Sequence, residues 1–370
     1  MNKRVLHIVG KMNLGGTESF LMNIYENIDR SKIQFDFLTY YEKNENGYFD
    51  KKITSLGGKI YSLNFLPSKN PIKAFLELKR IIKKNKYKII HAHTTYNSGY
   101  AVLASFMLGV EKIIVHSHNT GTGKTNVGHL FYKKIMLFII NKFSTDMCAC
   151  SQAAAKHMFY NQKQVRFIPN TINFSKYETR NQSKKIKLSS ELKLDIEEKI
   201  IGHIGRFGKA KNHEFIIKIF SEVLKVDNTF RLVLIGSGES INKIKNTAKK
   251  LNVYQYIRFL GVRKDIPDLM SLFDLFILPS NYEGFGIVLL EAQASGLHCL
   301  VSENIQPEVD MGLDLMHWVP LEDEQQWIKN IRLFSKTRIN NSKTISSATI
   351  NSNHTIEKVL KIFHMLYGVD

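Results

Sequence analysis

The chain has 370 residues, of which 44% are hydrophobic and 23% charged, with 52 Lys and Arg against 33 Asp and Glu for a net charge of +19. The length is more than one ordinary core accommodates and predicts two domains, and the composition is that of a soluble globular protein rather than a collagenous, disordered or membrane-embedded one. The charge is unevenly placed: residues 1–170 hold 25 basic against 10 acidic residues, a net of +15, whereas residues 171–370 hold 27 against 23, a net of +4. A positive half of this kind suits an anionic membrane surface or nucleic acid. No basic strand interleaved with aromatic residues offers a stacking platform, so the reading is of no nucleic-acid partner. The three cysteines, Cys148, Cys150 and Cys299, make no disulfide framework and suit a reducing cytoplasm. No apolar run reaches the length of a membrane span, and the first ten residues read as a first strand entering a glycine loop, not as a signal peptide.

In chain order, apolar runs at 5–9, 34–39, 59–63, 89–93, 112–116, 145–150 and 165–168 read as strands, separated by amphipathic stretches such as 18–28, 72–84 and 100–108. The rhythm predicts a parallel, doubly wound sheet. It repeats with strands at 200–204, 231–235, 257–260 and 275–278 and helices over 213–225, 240–251 and 266–271. Between the halves, residues 173–198 are polar and lysine-rich, and Pro169-Asn-Thr-Ile-Asn173 reads as the crossing point. Residues 356–367 carry apolar positions at helical spacing.

Several stretches carry chemistry. The turn Gly15-Gly16-Thr-Glu18 opens the first helix, where bare backbone and a helix N-terminus favour an anion, although the full dinucleotide glycine spacing is lacking. Residues 71–88 and 131–143 pair apolar faces with lysines. These either pack on the sheet or dock on an anionic leaflet, where each Lys or Arg contributes about 1 kcal/mol. His91, His93, His116 and His118 form two His-x-His pairs at strand ends; alternation puts the members of a pair on one face without fixing the distance between pairs, and with no carboxylate nearby no metal is expected. Gly121-Thr-Gly-Lys-Thr125 lacks the first glycine of a phosphate loop, which His118 replaces, and reads as a flexible loop. Arg206 and Lys211, just after a strand, suit a diphosphate, with Lys209 as competitor for the lysine position. Gly236-Ser-Gly-Glu239 follows the next strand.

The stretch from Leu278 to Gly296 organises the whole. It leaves a strand at Pro279, passes Glu283, Gly284, Phe285, Gly286 and Ile287, and enters a helical pattern that ends at Gly296 with Glu291 about two turns inside. A helix N-terminus between two carboxylates fits a ligand bearing both phosphate and hydroxyls, as a sugar nucleotide does.

This stretch resembles the E-x7-E motif of retaining GT-B glycosyltransferases of family 4, in the context Pro279-Ser-Asn-Tyr-Glu-Gly-Phe-Gly286. The Pro169–Asn173 crossing, Gly15-Gly16, Arg206 with Lys211, and Gly236-Ser-Gly238 resemble further family signatures in the same order, and Gly15-Gly16-Thr-Glu-Ser-Phe with Ser117-His-Asn-Thr120 looks like the exopolysaccharide and capsule branch. The resemblance implies an α/β GT-B fold of two Rossmann-like, doubly wound domains facing a cleft. The first, 1–172, takes the acceptor; the second, 173–352, binds the nucleotide sugar; residues 353–370 form a helix returning to the first. It implies a donor site of Gly15, Gly16, Arg206, Lys211, Glu283, Gly284, Phe285, Gly286, Ile287 and Glu291, with Glu291 on the ribose, Glu283 on the sugar, and Arg206 and Lys211 neutralising the leaving diphosphate. His118, with His116 as runner-up, would contact the sugar hydroxyls or the acceptor. The catalytic set is then Glu283, His118, Arg206 and Lys211, with no metal and no cofactor beyond the nucleotide sugar, of which UDP is the family's usual base. A lipid-linked glycan acceptor and peripheral attachment to the inner face of the plasma membrane complete the expectation. A GT-B epimerase or phosphorylase, or a noncatalytic sugar-nucleotide sensor, would share the fold. His298 and Cys299 depart from the family pattern after Gly296-Leu297 and put local packing in question.

Overall fold

The computed structural model describes residues 2–40, 47–64, 67, 69–120, 127–178, 182–195, 197–338 and 342–369. The stretch Gly121 to Thr125, read above as a flexible loop, lies outside them. The chain divides into two compact units, residues 1–171 with 353–370 and residues 172–352.

The first unit runs β1 (Lys3–Val9), α1 (Gly16–Asn27), β2 (Ile33–Thr39), α2 (Asp50–Ser55), β3 (Ile60–Ser62), α3 (Pro71–Asn85), β4 (Ile89–Ala92), α4 (Ser98–Met107), β5 (Lys112–Ser117), α5 (Val127–Phe143), β6 (Asp146–Ala149), α6 (Gln152–Met158) and β7 (Val165–Phe167). Among the described residues its sheet has seven strands in the order β3-β2-β1-β4-β5-β6-β7, with every pairing parallel. Helices cover such a sheet on both faces, which is why β2 is buried along its whole length. Its one charge, Asp36, is fully buried and satisfied: Arg4 Nε donates at 2.7 Å, the Tyr87 hydroxyl at 2.6 Å and the Lys59 amide at 2.7 Å. Side-chain caps start the helices where the sequence supplies them, Asn70 accepting from the Lys73 amide before α3 and Ser151 from the Ala154 amide before α6.

The second unit runs α7 (Ser175–Glu178), α8 (Gln182–Glu191), β8 (Lys199–Ile204), α9 (His213–Val226), β9 (Phe230–Ile235), α10 (Ile241–Lys250), β10 (Ile257–Gly261), α11 (Ile266–Leu272), β11 (Leu275–Leu278), α12 (Val288–Ala294), β12 (His298–Ser302), β13 (Met316–Val319), α13 (Glu324–Phe334) and α14 (Ser342–Asn351). Its sheet, of order β10-β9-β8-β11-β12-β13, is again parallel throughout. The lysine-rich segment 173–198 thus holds two helices, and the chain after Gly296 adds two strands and two helices that the sequence reading did not place. His298 is accommodated there by a hydrogen bond between its Nδ1 and His317 Nε2 at 2.8 Å and by the Phe334 ring, stacked 3.6 Å from His317; Cys299 is fully buried. The last helix, α15 (Ile356–Tyr367), packs on α1 in the first unit, capped by Thr355 at its start and by left-handed Gly368 at its end.

One contact shows how closely the second core is fitted. Gly202 lies mid-strand in β8, and a Cβ there would fall 2.1 Å from Cδ2 of the fully buried Phe273. Gly202→Ala should therefore destabilise the protein by about 1–3 kcal/mol, lowering Tm by several degrees, and Phe273→Leu in the same chain should recover part of the loss; an unchanged Tm in the single variant would contradict this packing.

Candidate active site

In the second unit the strand order reverses between β8 and β11, the place where loops at the carboxyl ends of parallel strands diverge and leave a crevice for ligand. The loop after β8 carries Arg206 and Lys211; the loop after β11 carries residues 279–287. Asn281 ties them together: its amide donates to the Ala210 carbonyl at 2.8 Å and its Nδ2 to the Lys209 carbonyl at 2.7 Å. The Gly236-Ser-Gly238 turn after β9 closes against the first of these loops so tightly that a Cβ on Gly236 would lie 2.1 Å from the Gly205 carbonyl oxygen. The Phe207 amide donates to the Ser237 carbonyl at 2.9 Å. Three loops are thereby fixed by backbone contacts.

Within them Lys211 Nζ pairs with the Glu283 carboxylate, both side chains being mostly buried at 16% and 18% exposure. Lys209, the alternative lysine, contributes its carbonyl to Asn281 instead. Arg206 lies at the surface, 3.4 Å from Glu239, with the pair 81% and 65% exposed. The cation and the carboxylate assigned to different parts of a ligand thus already face each other.

Gly286 has φ +84°, in the left-handed region, which no helix tolerates in its interior. Helix α12 consequently starts only at Val288, and Glu291 sits in its first turn, not two turns inside as the sequence reading has it. Burial raises the Glu291 carboxyl from the ordinary carboxylate range to about 7, opposed by a hydrogen bond from the Tyr177 hydroxyl of α7. Tyr177, itself pushed up by burial and by this carboxylate, is a site residue the sequence reading missed.

In the first unit, Gly15 is the N-cap of α1 and Gly16 its first residue. Glu18, three residues on, folds back so that its Oε2 would meet a Cβ on Gly15 at 2.4 Å, and burial raises its carboxyl to about 7. The motif contained Glu18, but only the fold shows its carboxyl over the helix start. His118 follows β5. Its Nε2 lies 2.9 Å from His93 Nδ1, and His93 Nε2 lies 3.1 Å from His7 Nδ1. The distance between the His-x-His pairs, which alternation could not give, follows from the adjacency of β4 and β5. Two groups of three, His7 with His91 and His93, and His93 with His116 and His118, bring ring nitrogens within 4.8 Å and are the possible metal-ligand sets among the described residues. Burial holds these rings neutral, lowering His7 and His118 to about 3 and His91, His93 and His116 well below their ordinary value.

Residues 14–176 match the family model described as Glycosyltransferase Family 4, and residues 184–350 that described as Glycosyl transferases group 1. EpsF of Bacillus subtilis (strain 168), named as a glycosyltransferase, is 35% identical over 328 residues, covering 87% of this chain and 84% of that protein. The Escherichia coli UDP-Gal:alpha-D-GlcNAc-diphosphoundecaprenol alpha-1,3-galactosyltransferase is 26% identical, covering 79% of this chain and 78% of its own. Among solved structures, Anabaena Alr3699/HepE in complex with UDP-glucose superposes with a TM-score of 0.81 at 18% identity over 99% of this chain and 100% of its own, a likeness of fold.

The environment of Glu291 is directly testable. Tyr177→Phe removes the donor that favours the carboxylate, so the Glu291 midpoint, followed by 13C NMR of carboxyl-labelled glutamate, should move further above 7. A fall toward the free-glutamate range would contradict the arrangement.

Proposed function

Because this chain belongs to glycosyltransferase family 4, the group 1 transferases of GT-B fold, we propose that it is a retaining enzyme that moves a sugar from UDP to a lipid-linked glycan acceptor in the synthesis of an extracellular or capsular polysaccharide. The family makes it a nucleotide-sugar-dependent glycosyltransferase; the donor base, the acceptor and the stereochemistry are the proposal. The observation that carries it is the Lys211–Glu283 pair between pinned loops at the switch point of the second sheet.

The chemistry follows from the charges. Departure of the nucleotide develops negative charge on its terminal phosphate, and cations already in place stabilise it without reorganising. Lys211 is held in position by Glu283, and Arg206, loosely paired at the surface, is available to close on the diphosphate. Glu283 takes the transferred sugar through its hydroxyls, and Glu291, as the carboxylate, accepts from the ribose hydroxyls. Gly284, Phe285, Gly286 and Ile287 are assigned to the donor through the backbone ahead of α12. Gly15 and Gly16 are assigned to the donor phosphates, and His118 to the sugar or acceptor hydroxyls. No step needs a metal in this scheme. The acceptor's class is supported by the Escherichia coli relative, whose name specifies a diphosphoundecaprenol substrate.

Attachment to an anionic leaflet is supported by the surface of the first unit. Helix α5 exposes Phe131, Lys134, Ile135, Phe138 and Lys142, a stripe recurring at helical spacing, and α3 exposes Ile72 and Leu76. These apolar residues are not taken up by the sheet, and aromatic and basic side chains along one helix face suit the headgroup region. Among the described residues no helix is long and apolar enough to cross a membrane.

Two measurements test the reading. Glu283→Gln should lower turnover with UDP-sugar and acceptor by about 10²–10³ while UDP affinity is kept or improved, because Lys211 is released from its carboxylate; Lys211→Ala should weaken both. Normal turnover in Glu283→Gln would remove that carboxylate from the mechanism. Separately, the protein should sediment with phosphatidylglycerol vesicles and not with phosphatidylcholine vesicles, and Lys134→Glu with Lys142→Glu should reduce the bound fraction severalfold; indifference to lipid charge would contradict the docking face.

A further inference from the structure

Five buried or partly buried groups form a continuous hydrogen-bonded chain in the first unit. His91 Nδ1 lies 2.8 Å from the Tyr367 hydroxyl, which lies 3.5 Å from His7 Nε2; His7 Nδ1 lies 3.1 Å from His93 Nε2, and His93 Nδ1 lies 2.9 Å from His118 Nε2. Three strands and the C-terminal helix supply them: His7 is in β1, His91 in β4 with His93 just past its end, His118 just past β5, and Tyr367 is the last residue of α15. We infer that His93 is a positioning residue, its own proton placed by the chain through His7 and Tyr367, that holds His118 in the tautomer protonated on Nδ1.

A neutral imidazole has one N–H and one bare nitrogen, so each ring in the chain that uses both nitrogens must donate through one and accept through the other. Burial keeps these rings neutral. Three arrangements then satisfy every link, because the Tyr367 hydroxyl donates one hydrogen bond and can accept two. In one, His91 donates to the Tyr367 oxygen, Tyr367 to His7, His7 to His93, and His93 to His118 Nε2, so that the His118 proton is on Nδ1. In the second, every donor is reversed and His118 is protonated on Nε2; in the third, the Tyr367 oxygen accepts from both His91 and His7, and His118 is again protonated on Nε2.

The far end decides between them. His91 Nε2 is buried and has no hydrogen-bond partner among the described residues. In the first arrangement it is a bare acceptor; in the second it is an orphaned N–H donor, and in the third the buried Tyr367 O–H finds no acceptor in the chain, an orphaned donor being the rarer defect in a buried site. The first arrangement is therefore the stable one. His116, its ring tilted against that of His118 with centroids 4.0 Å apart, makes no hydrogen bond among the described residues and stands outside the chain.

A metal ion fits less well. It would have to displace the protons shared between His7 and His93 and between His93 and His118, and neither group of three includes a carboxylate to offset its charge in a region of net +15. For the reaction, and resting on the reading of His118 as a substrate-facing residue, the consequence is that His118 meets an oxygen as a hydrogen-bond donor through Nδ1 and not as a base.

The test reads the ring itself. In the full chain labelled with 15N-histidine at pH 7.5, with His118 signals identified by their loss in His118→Gln, long-range 15N–1H correlations should show His118 Nδ1 protonated and Nε2 bare. His93→Phe, which removes the donor to His118 Nε2, should let His118 populate both tautomers. A wild-type His118 protonated on Nε2 or averaged between tautomers overturns the inference. So does an unchanged His118 in His93→Phe, or stoichiometric binding of Zn²⁺ that shifts the whole set of rings. The wild-type spectrum decides even where the variant does not fold. Because no sugar nucleotide is needed, failure here is distinct from failure of the transferase reading.

Discussion

The Lys211–Glu283 pair is the interaction on which the rest of the site depends. Both side chains are mostly withdrawn from water, so each charge needs a partner before any ligand arrives. Removing one member of a buried pair leaves a charge that typically costs a few kcal/mol, which is far more than an exposed pair such as Arg206–Glu239 is worth. On the proposed function, a diphosphate sugar would share this pair without undoing it, the phosphate approaching the ammonium and the sugar hydroxyls approaching the carboxylate.

The backbone makes that pair possible. The order β10-β9-β8-β11-β12-β13 places the ends of β8 and β11 side by side, and Asn281 fixes the separation of their loops by two hydrogen bonds to the 209–210 backbone. Gly286, in the left-handed region, postpones the start of α12 to Val288. Its position also brings Glu291 into the first turn, near enough to α7 for Tyr177 to reach it.

Much of this was legible in the sequence because it rests on local pattern. Apolar runs alternating with amphipathic stretches gave the parallel sheets, and Glu283, Gly286 and Glu291 lie within one strand-turn-helix segment. What was not legible depends on distance between elements. Tyr177 belongs to a lysine-rich segment with no apolar period, so nothing marked it as a partner of Glu291. Strand alternation put His91 with His93 and His116 with His118, but only strand order β1-β4-β5 and the return of α15 join them to His7 and Tyr367. Strand β12 opens on His298 and β13 contains His317 and Trp318, polar or bulky residues accepted through the Phe334 stack on both histidines and a hydrogen bond from Trp318 Nε1 to the Ile305 carbonyl. The helix start was misjudged because the sign of φ at Gly286 is a property of the fold.

The most direct measurement is the thermal melting of the full chain against UDP, GDP, ADP, NAD and the sugar conjugates of the three diphosphates. A ligand at about 100 times its Kd adds roughly 2.7 kcal/mol of stability, a shift easily read. The account predicts that UDP and one or more UDP-sugars raise Tm while GDP, ADP and NAD do not. A rise with NAD alone, or none with any nucleotide, would contradict a uridine diphosphate sugar site at the ends of β8 and β11.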